Sequence, residues 1–420
     1  MTKKNRKSVA RLIARLGKKS LVQFIRFLKG KPLTYPSFGS ATLDADDVRI
    51  ARDWLNNRDL WYDNRVVSQY EKEFARWNGS RHAFAFMSGR VSLSACIHAL
   101  GLKPHDEIIL PGYTCVVVPN ALQYAGVKPV YSDIELDTYG LDATMIEDKI
   151  SPKTRAILIQ HLYGLVCKDY ERIVEIARKR GLKIIEDCAH STGAKFNGVN
   201  IGNWGDVAFY STEQSKVITT IQGGIAVTND DSLARRFKDF YDQAPLPDED
   251  WIKKQLLKVL YNYYQYKHPQ RWLTGDVADF LWGDDQLIST TAEEECGIKP
   301  SNYGCRMPSP IAAIGLNQIK KINNYNEIRR QSAFRWDKWC DDKGYRKPLI
   351  IPDSEPVYLR YPVLVEEEKK RNTTWGPEQL GVRIGVWFKG NIHPIQKPIE
   401  DCPNADRAVQ QCINFPCLPK

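Results

Sequence analysis

A single lysine, Lys216, stands between a predicted buried strand and a glycine pair in AFYSTEQSKVITTIQGG, residues 208–224. Ser211 offers a hydroxyl five residues before it, and the run KIIEDCAHSTGA ends a predicted strand on the carboxylates Glu186 and Asp187. Farther back, FMSGRVSLSACIHAL passes from a strand through Ser88–Gly89 into a helix. A helix that begins at a small residue is a ready phosphate site, because its backbone N–H groups point at the anion.

These parts together match what pyridoxal phosphate requires: a phosphate site, an acid for the pyridinium nitrogen and a lysine for the Schiff base. Each part alone has an ordinary explanation. Most lysines are simply exposed, strand-end carboxylates often cap the next turn, and one glycine is a weak signal. The prediction therefore depends on all three parts meeting at the carboxyl edge of one sheet, where α/β proteins bind ligands.

Alternating elements from about residue 66 to 230 would position these side chains. The runs HAFAFM, EIILP, KPVYSDI, RAILIQHL and KIIEDCA read as buried strands, and RVSLSACIHALGL, VVVPNALQYAG and DYERIVEIARKRGL read as helices. VAFYS and GGIAVTN follow closely enough to form a hairpin-like pair. Strand–helix alternation of this length predicts a mainly parallel sheet covered on both faces.

Residues 231–300 break this rhythm with dense aromatic residues, and Ile252, Leu256, Leu260 and Tyr263 recur at helical spacing. Residues 308–420 resume as a mixed α/β segment that begins with a long amphipathic helix. The predicted domains are a basic N-terminal segment at 1–40, a large cofactor-binding domain at 41–235, a helical aromatic-rich insertion at 236–300 and a small C-terminal domain with a dimer-contact loop at 301–420.

Length and composition fit an ordinary globular protein of more than one domain, with 420 residues, 43% of them hydrophobic and 26% charged. No apolar run is long enough to span a bilayer, and the start lacks the features of a secretory signal. None of the ten cysteines forms a CxxC pair, so no metal site is predicted and reduced thiols are expected.

The net charge of +10 is concentrated at the N-terminus, where residues 3–30 carry ten Lys or Arg and no acid. Apolar residues near helical spacing make this segment a basic amphipathic helix, which fits an anionic membrane surface, a helix docked on the body or a frayed tail. Nucleic-acid binding is not expected, because no known module appears and the excess charge is largely in this segment.

The run EDCAHSTGAKFNGVNIGNWGDVAFYSTEQSKVITTIQGGIAVTND resembles the core of the DegT/DnrJ/EryC1/StrS family of pyridoxal-phosphate sugar aminotransferases. Supporting matches are LPGYTCVVVPNALQYAGVKPVYSDIELDTYGLD, RAILIQHLYG and NYGCRMPSPIAAIGLNQIKKI, and together they cover roughly residues 45–400 except the insertion. The resemblance implies the aspartate-aminotransferase-type fold (fold type I), with a mainly parallel sheet in the large domain and a smaller C-terminal α+β domain.

The resemblance also implies roles for individual residues. Lys216 aligns with the Schiff-base lysine, Asp187 with the partner of the pyridine nitrogen, and His190 with the residue that contacts the cofactor's phenolic oxygen. Other cofactor contacts are implied for Ser211, Ser88, Gly89, Arg90, Cys115 and Arg306. Arg306 lies in a loop that reaches the neighbouring subunit's site in this family, which implies a homodimer. His393 falls where the family approaches its substrate, although a buried turn histidine fits equally well. His161 is expected to be a structural hydrogen-bonding residue.

The chain departs from the family pattern at several of these positions. Arg90 replaces a threonine, and a guanidinium can still bind phosphate. Cys115 replaces the aromatic residue that stacks on the cofactor ring, so either Tyr113 takes over that role or the ring face is less covered. Gly304 replaces an asparagine in the dimer loop.

The expected activity is transfer of an amino group, with glutamate as the expected donor, onto a keto-sugar attached to a nucleotide, for surface polysaccharide or glycan synthesis. A dehydratase-like enzyme is one alternative, but such relatives replace the lysine with histidine. A non-catalytic regulator is another, and the retention of Asp187, Ser211 and Lys216 argues against it. The expected location is the cytoplasm, with the basic segment as a candidate contact to the inner membrane face.

Overall fold

The structure is a computed structural model that describes residues 3–30, 33–274, 277 and 290–418. Strands are numbered in chain order: β1 His82–Phe86, β2 Glu107–Pro111, β3 Thr114–Cys115, β4 Lys128–Ser132, β5 Thr154–Gln160, β6 Lys183–Asp187, β7 Lys195–Phe196, β8 Val199–Asn200, β9 Val207–Ser211, β10 Gly224–Thr228, β11 Ser354–Glu355, β12 Arg360–Leu364, β13 Ile392–His393 and β14 Cys412–Pro416.

The α-helices are numbered in the same way: α1 Lys3–Leu28, α2 Ala45–Asn56, α3 Asn64–Asn78, α4 Gly89–Leu100, α5 Val117–Tyr124, α6 Tyr170–Lys179, α7 Asp231–Gln243, α8 Glu249–Asn262, α9 Ala292–Glu295, α10 Ser309–Lys343, α11 Glu367–Arg371 and α12 Pro403–Gln411. Asp or Ser residues cap several N-termini, as the side chain of Asp230 does by accepting from Ser232 N and Leu233 N at the start of α7.

The large sheet has seven strands in the order β1-β10-β9-β6-β5-β2-β4. β4, β2, β5, β6 and β9 run parallel, whereas β10 is antiparallel to both of its neighbours. The predicted mainly parallel sheet is confirmed, and so is the VAFYS–GGIAVTN pair, which forms β9 and β10. The carboxyl ends of β1, β5, β6 and β9 therefore meet at one edge.

Apolar side chains cover both faces of this sheet. One layer includes Ile157, Ile159 and Ile184 with helix α3 and the start of α10. The opposite layer includes Leu158 and Ile185 with α4, α5 and α7. Because successive side chains on a strand point to opposite faces, neighbouring residues of β5 and β6 serve different layers, and both must be apolar. This explains why these strands appear in the sequence as continuous apolar runs.

The C-terminal half forms a smaller α+β unit around the antiparallel pair of β12 and β14. The 35-residue helix α10, which the sequence predicts, connects the two halves, and its Trp336 stacks on Phe415 of β14 with ring centroids 4.2 Å apart. A parallel pairing of β13 with β3 ties this half to the large sheet's edge, with His393 opposite Cys115. The fold is the predicted type I arrangement.

The segment predicted as an insertion packs on the body of the same chain. Helix α7 crosses the predicted boundary at 235 and belongs to the second sheet layer. One face of α8 is buried against α2 and Trp61 through Ile252, Leu256 and Val259. Tyr261 is buried as well, while Trp282 lies outside the described residues. The apolar residues of α8 therefore contribute to the core of this chain.

None of the helices among the described residues is both long enough and apolar enough to cross a membrane. All ten cysteines are free thiols, in agreement with the sequence-based expectation, and only Cys296 is exposed.

Candidate active site

A cavity of about 190 Å³ opens at the carboxyl edge of the large sheet. It collects residues that lie far apart in the chain but follow neighbouring strands. Of the predicted site residues, the following line it: Ser88, Gly89, Arg90, Cys115, Asp187, His190, Ser211, Lys216 and His393. Arg306 and Tyr113 do not line it among the described residues.

The turn between β1 and α4 forms an anion cradle at one end of this cavity. Ser88 caps α4 by accepting a hydrogen bond from Val91 N, and Gly89 is the first residue of the helix. A Cβ on Gly89 would lie 2.9 Å from the Cβ of Ser211, and one on Gly224 would lie 2.5 Å from Gly89 N. Glycine is needed at both positions so that β9 and β10 can pass close to the helix N-terminus, which suits a phosphate group.

Asp187 ends β6 as a buried carboxylate, and its Oδ1 accepts a hydrogen bond from Ala189 N at 3.0 Å. Burial raises the pKa of Asp187 to about 6, against a smaller lowering by the Lys216 cation. A buried carboxylate is stabilised by a cationic partner at hydrogen-bond distance. A protonated pyridine nitrogen is such a partner.

Lys216 lies in the loop between β9 and β10, which returns on itself through hydrogen bonds between Thr212 and Thr220. The guanidinium of Arg329, on α10, donates a hydrogen bond to the carbonyl of Val217 at 2.6 Å and so holds the loop in place. Lys216 Nζ lies 5.4 Å from the ring centroid of Trp387. Burial lowers the pKa of Lys216, which makes the amine a better nucleophile.

Two histidines that face the cavity are held neutral. His190 stacks on Trp387 with centroids 5.1 Å apart, and its Nδ1 accepts from Tyr163 N at 3.4 Å. Burial, assisted by Lys216, lowers the pKa of His190 well below its ordinary value. Burial also lowers the pKa of His393 to about 4. Both rings can therefore hydrogen-bond at neutral pH without adding positive charge.

His161, which also lines the cavity, contacts the buried carboxylate of Glu186. His161 Nδ1 accepts from Cys167 N at 3.2 Å, and Nε2 lies 3.4 Å from the carboxylate of Glu186. Glu186 in turn accepts hydrogen bonds from Gly202 N, Trp204 N and Gly205 N. These contacts agree with the structural role predicted for His161. The carboxylate of Glu186 is occupied by them, and Glu186 is not among the described residues that line the cavity.

Arg90 differs from the sequence-based expectation, because its guanidinium forms a salt bridge with the buried carboxylate of Glu294 on α9. The carbonyl of Glu294 also accepts from Asn120 at 2.6 Å, which fixes this short helix over the cavity. A guanidinium paired in this way has less capacity for a phosphate, which leaves Ser88, Gly89 and Ser211 as the candidate phosphate ligands.

The ring-covering role suggested for Tyr113 is wrong. Its side chain is fully buried in the C-terminal half, where the hydroxyl contacts Tyr163 and the backbone of Trp387 and Phe388. Trp387 and Phe388, which the sequence reasoning missed, line the cavity beside Cys115 instead. The aromatic pair in GVWFKGNIHP, so close to His393, was the available signal.

Arg306 lies on the outer side of β1, with its guanidinium 5.5 Å from the ring centroid of Tyr241. Its Nε is buried without a hydrogen-bond partner among the described residues. The predicted contact with a neighbouring subunit's cofactor remains a prediction, since it requires a second copy of the chain.

The residues around the cavity fit pyridoxal phosphate. The anion cradle at Ser88 and Gly89 can accept a phosphate, the buried carboxylate of Asp187 needs a cation, and Lys216 supplies a partly desolvated amine. All three features lie in one cavity, at the edge of the sheet where α/β proteins bind ligands.

Comparison with known proteins gives a consistent result. Residues 42–420 match the sequence profile of the DegT/DnrJ/EryC1/StrS aminotransferase family. The chain is 40% identical over 333 residues to GDP-perosamine synthase of Caulobacter vibrioides, covering 79% of this chain and 77% of the relative. It is 35% identical over 306 residues to GDP-perosamine synthase of Escherichia coli O157:H7, covering 73% and 70%. An aminotransferase from Psychrobacter cryohalolentis shares the fold, with a TM-score of 0.69 at 23% identity over 92% of this chain and 94% of that one.

Proposed function

The chain belongs to the DegT/DnrJ/EryC1/StrS aminotransferase family, and on that premise we propose that it uses pyridoxal phosphate to convert a nucleotide-linked keto-sugar into an amino-sugar. The main support for this proposal is that Lys216, Asp187 and the anion cradle at Ser88 and Gly89 line one cavity. The names of the two relatives make a guanosine-diphosphate-linked sugar the first substrate to test. The amino-sugar would serve surface polysaccharide or glycan synthesis, and the proposed donor is glutamate.

Pyridoxal phosphate, when bound, supplies an electron sink for the carbanion that forms at the substrate carbon. The carboxylate of Asp187 would pair with the ring nitrogen of the cofactor and would favour its protonated form. Lys216 would hold the cofactor, and its amine would serve as the general base and acid that moves a proton to and from the substrate carbon. His190 would contact the cofactor, and Trp387, which stacks on His190, would keep the imidazole ring in place. Ser88 N-caps α4, and the N-terminus of that helix would hold the phosphate together with Ser211.

The direct test is turnover by purified enzyme with glutamate or glutamine against a panel of nucleotide-linked keto-sugars, with product detected by mass spectrometry. We expect one keto-sugar of the panel to be aminated by the wild type and not by the variant Lys216→Ala. A wild-type enzyme that binds the cofactor but aminates no member of the panel would contradict the proposed substrate class.

We also propose a homodimer in which Arg306 serves the neighbouring cofactor site. The Nε of Arg306, which is buried without a hydrogen-bond partner among the described residues, supports this, because a donor contributed to a neighbouring site would find its partner there. The test mixes two inactive variants, Lys216→Ala and Arg306→Ala. A mixed dimer contains one complete site, so activity should return on mixing, and its failure to return would refute the shared site.

A peripheral membrane contact by α1 is the third proposal. Its exposed side chains include Leu21, Phe24 and Phe27. Residues 3–30, which contain this helix, carry ten Lys or Arg and no acid. Such a helix binds anionic lipid through apolar burial and charge attraction that salt weakens. Flotation with anionic vesicles should be strong at low salt, and it should be lost in Phe24→Ser/Phe27→Ser. Equal flotation by a chain lacking residues 1–30 would refute it.

A further inference from the structure

The loop between β9 and β10 presents a second carboxylate to the cavity, three residues before Lys216. This residue is Glu213, and Asp187 is the only other acid among the described residues that line the cavity. The backbone of Glu213 lies between two parts of the candidate cofactor site. Its N–H donates to the hydroxyl of Ser211 at 3.3 Å, and its carbonyl accepts from Lys216 N at 3.0 Å. Because Asp187 is assigned to the cofactor, Glu213 is the acid of this cavity that has no role yet.

The side chain of Glu213 is held at one oxygen and open at the other. Oε2 accepts hydrogen bonds from the backbone N–H of Ser215, at 2.8 Å, and from the hydroxyl of the same residue. These are its only hydrogen-bond partners among the described residues, so Oε1 has lone pairs to offer to a ligand. The next residue, Gln214, is buried and contacts Asn262 of α8 at 2.9 Å. The turn therefore fixes a carboxylate in the cavity before any ligand arrives.

The charge of Glu213 acts on cations from three different elements. Burial lowers the pKa of Lys216, of Lys258 on α8 and of Arg360 on β12, and the negative charge of Glu213 opposes this lowering at each of them. One explanation of the residue is therefore that it only compensates these cations. That explanation does not account for the open oxygen in the cavity, and the experiment below separates the two roles.

A carboxylate oxygen in a cavity binds groups that donate hydrogen bonds. Three molecules enter this space under the proposed function. The cofactor brings a phosphate and a ring nitrogen that is assigned to Asp187, and the amino donor brings two carboxylates, which the charge of Glu213 repels. The amino group of the donor is exchanged at the position of Lys216. The sugar brings several hydroxyl groups, and these are the donors that remain for Glu213.

We propose that Glu213 binds a hydroxyl group of the sugar ring and so helps to select the keto-sugar that is aminated. This inference rests on the proposed function and assigns to the amino acceptor a residue that neither the cofactor nor the amino donor uses. Because Glu213 and Lys216 belong to one turn, the hydroxyl that is bound belongs to the sugar ring itself rather than to its carrier.

Two half-reactions separate the sugar from the amino donor in the cofactor-loaded enzyme. Glutamate converts the pyridoxal form of the cofactor into the pyridoxamine form, the keto-sugar converts it back, and each step is followed by the absorbance of the cofactor. The probe is GDP-4-keto-6-deoxymannose, a keto-sugar on the carrier proposed above. Glu213→Ala should raise the probe concentration that gives the half-maximal rate about 10–100-fold, as expected for loss of a hydrogen bond to a charged group. The glutamate half-reaction should keep its wild-type rate.

Three further variants accompany this measurement. Glu213→Gln keeps a neutral acceptor and should raise the half-maximal probe concentration less than Glu213→Ala does. Ser215→Ala removes the hydroxyl that holds Oε2 and should have a smaller effect in the same direction. Since Ser215→Ala leaves Glu213 in place, the test does not depend on whether Glu213→Ala folds. Glu327→Ala is the matched control and should change neither half-reaction, because Glu327 is exposed on α10 and bonded to Arg330 and Gln331 of its own helix.

Two outcomes overturn the proposal. In the first, Glu213→Ala leaves the half-maximal probe concentration at the wild-type value. In the second, Glu213→Gln and Glu213→Ala slow both half-reactions equally, which is the result expected of a residue that only compensates the charge of Lys216 and its neighbours. Failure of the proposed function looks different, because the wild type itself would then fail to react with glutamate or with the probe.

Discussion

Replacing Asp187 with asparagine should stabilise the protein without its cofactor and at the same time nearly abolish turnover. The substitution keeps the size of the side chain, and the amide oxygen can still accept from Ala189 N. It removes only the negative charge, which is buried at the end of β6 and has no salt-bridge partner among the described residues. The two effects of the change can therefore be predicted from the same observation.

The stability effect follows from the raised pKa. Burial raises the pKa of Asp187 from 3.8 to about 6, and a difference of about two corresponds to ~3 kcal/mol at ~1.4 kcal/mol for each pKa unit. Because the folded pKa is above the unfolded one, this carboxyl destabilises the folded state as pH rises from about 4 through 6. Above pH 7 the full penalty applies to the apoprotein. Asp187→Asn should remove it, to an order of magnitude of 1–3 kcal/mol.

The catalytic effect has the opposite sign. An asparagine cannot hold the proton on the pyridine nitrogen, so the ring no longer accepts electrons effectively. Loss of one preorganised electrostatic partner in a water-excluded site costs about 10²–10³-fold in rate. We expect the variant to retain some cofactor and to lose turnover by at least this factor.

The assay compares urea unfolding of apoproteins at pH 5 and pH 8 with turnover of the cofactor-loaded enzymes. Asp133→Asn is the control, because Asp133 is equally buried but accepts hydrogen bonds from Asn404 N and Ala405 N as the cap of α12. The control should lose stability at both pH values. The reasoning is refuted if Asp187→Asn is no more stable than wild type at pH 8, or if its turnover is near normal.

Three further predictions concern the cofactor and the cavity walls. Borohydride reduction followed by peptide mapping should place the pyridoxyl label on Lys216, and a label on another lysine would exclude its assigned role. Gly224→Ala should lower stability by about 1–3 kcal/mol and weaken cofactor binding, because its Cβ would lie 2.5 Å from Gly89 N. Gly17→Ala in helix α1, whose Cβ meets nothing within 4 Å, should lower neither stability nor cofactor affinity in the same unfolding and cofactor titrations. Trp387→Ala should raise KM for the sugar about tenfold in steady-state kinetics, because the ring contacts both His190 and Arg360. Trp387→Phe should bring KM most of the way back to the wild-type value. Equal KM values in all three proteins would contradict this prediction.

Local patterns in the sequence were sufficient for the large sheet and the residues at its edge. Continuous apolar runs identified β2, β5 and β6, since strands buried on both faces must be apolar throughout. The parallel order of these strands then places Asp187 and Lys216 at one edge without further information. Ser88 and Gly89 follow in the same way, because a strand–turn–helix passage fixes the position of the helix N-terminus.

Contacts between distant segments could not be read from local patterns. Tyr113 was a reasonable candidate to cover the cofactor, but its burial is decided by Phe388, 275 residues later in the chain. The salt bridge of Arg90 depends in the same way on Glu294, in a segment that carried no recognisable motif. The hydrophobic spacing in α8 predicted a helix correctly, yet it could not show that α2 would cover its apolar face.

The candidate cofactor residues and the segments around them belong to different parts of the chain. The candidate cofactor residues lie on loops that leave the central sheet, where parallel strands fix their relative positions. A neighbouring cavity is lined by residues 33–39, residues 265–272, the start of β12 and the end of α1, and among the described residues it shares only Ser215 with the first. Segments of this kind can change without moving Asp187 or Lys216. We therefore expect differences in substrate recognition between relatives to map to these segments, with the candidate cofactor site left intact.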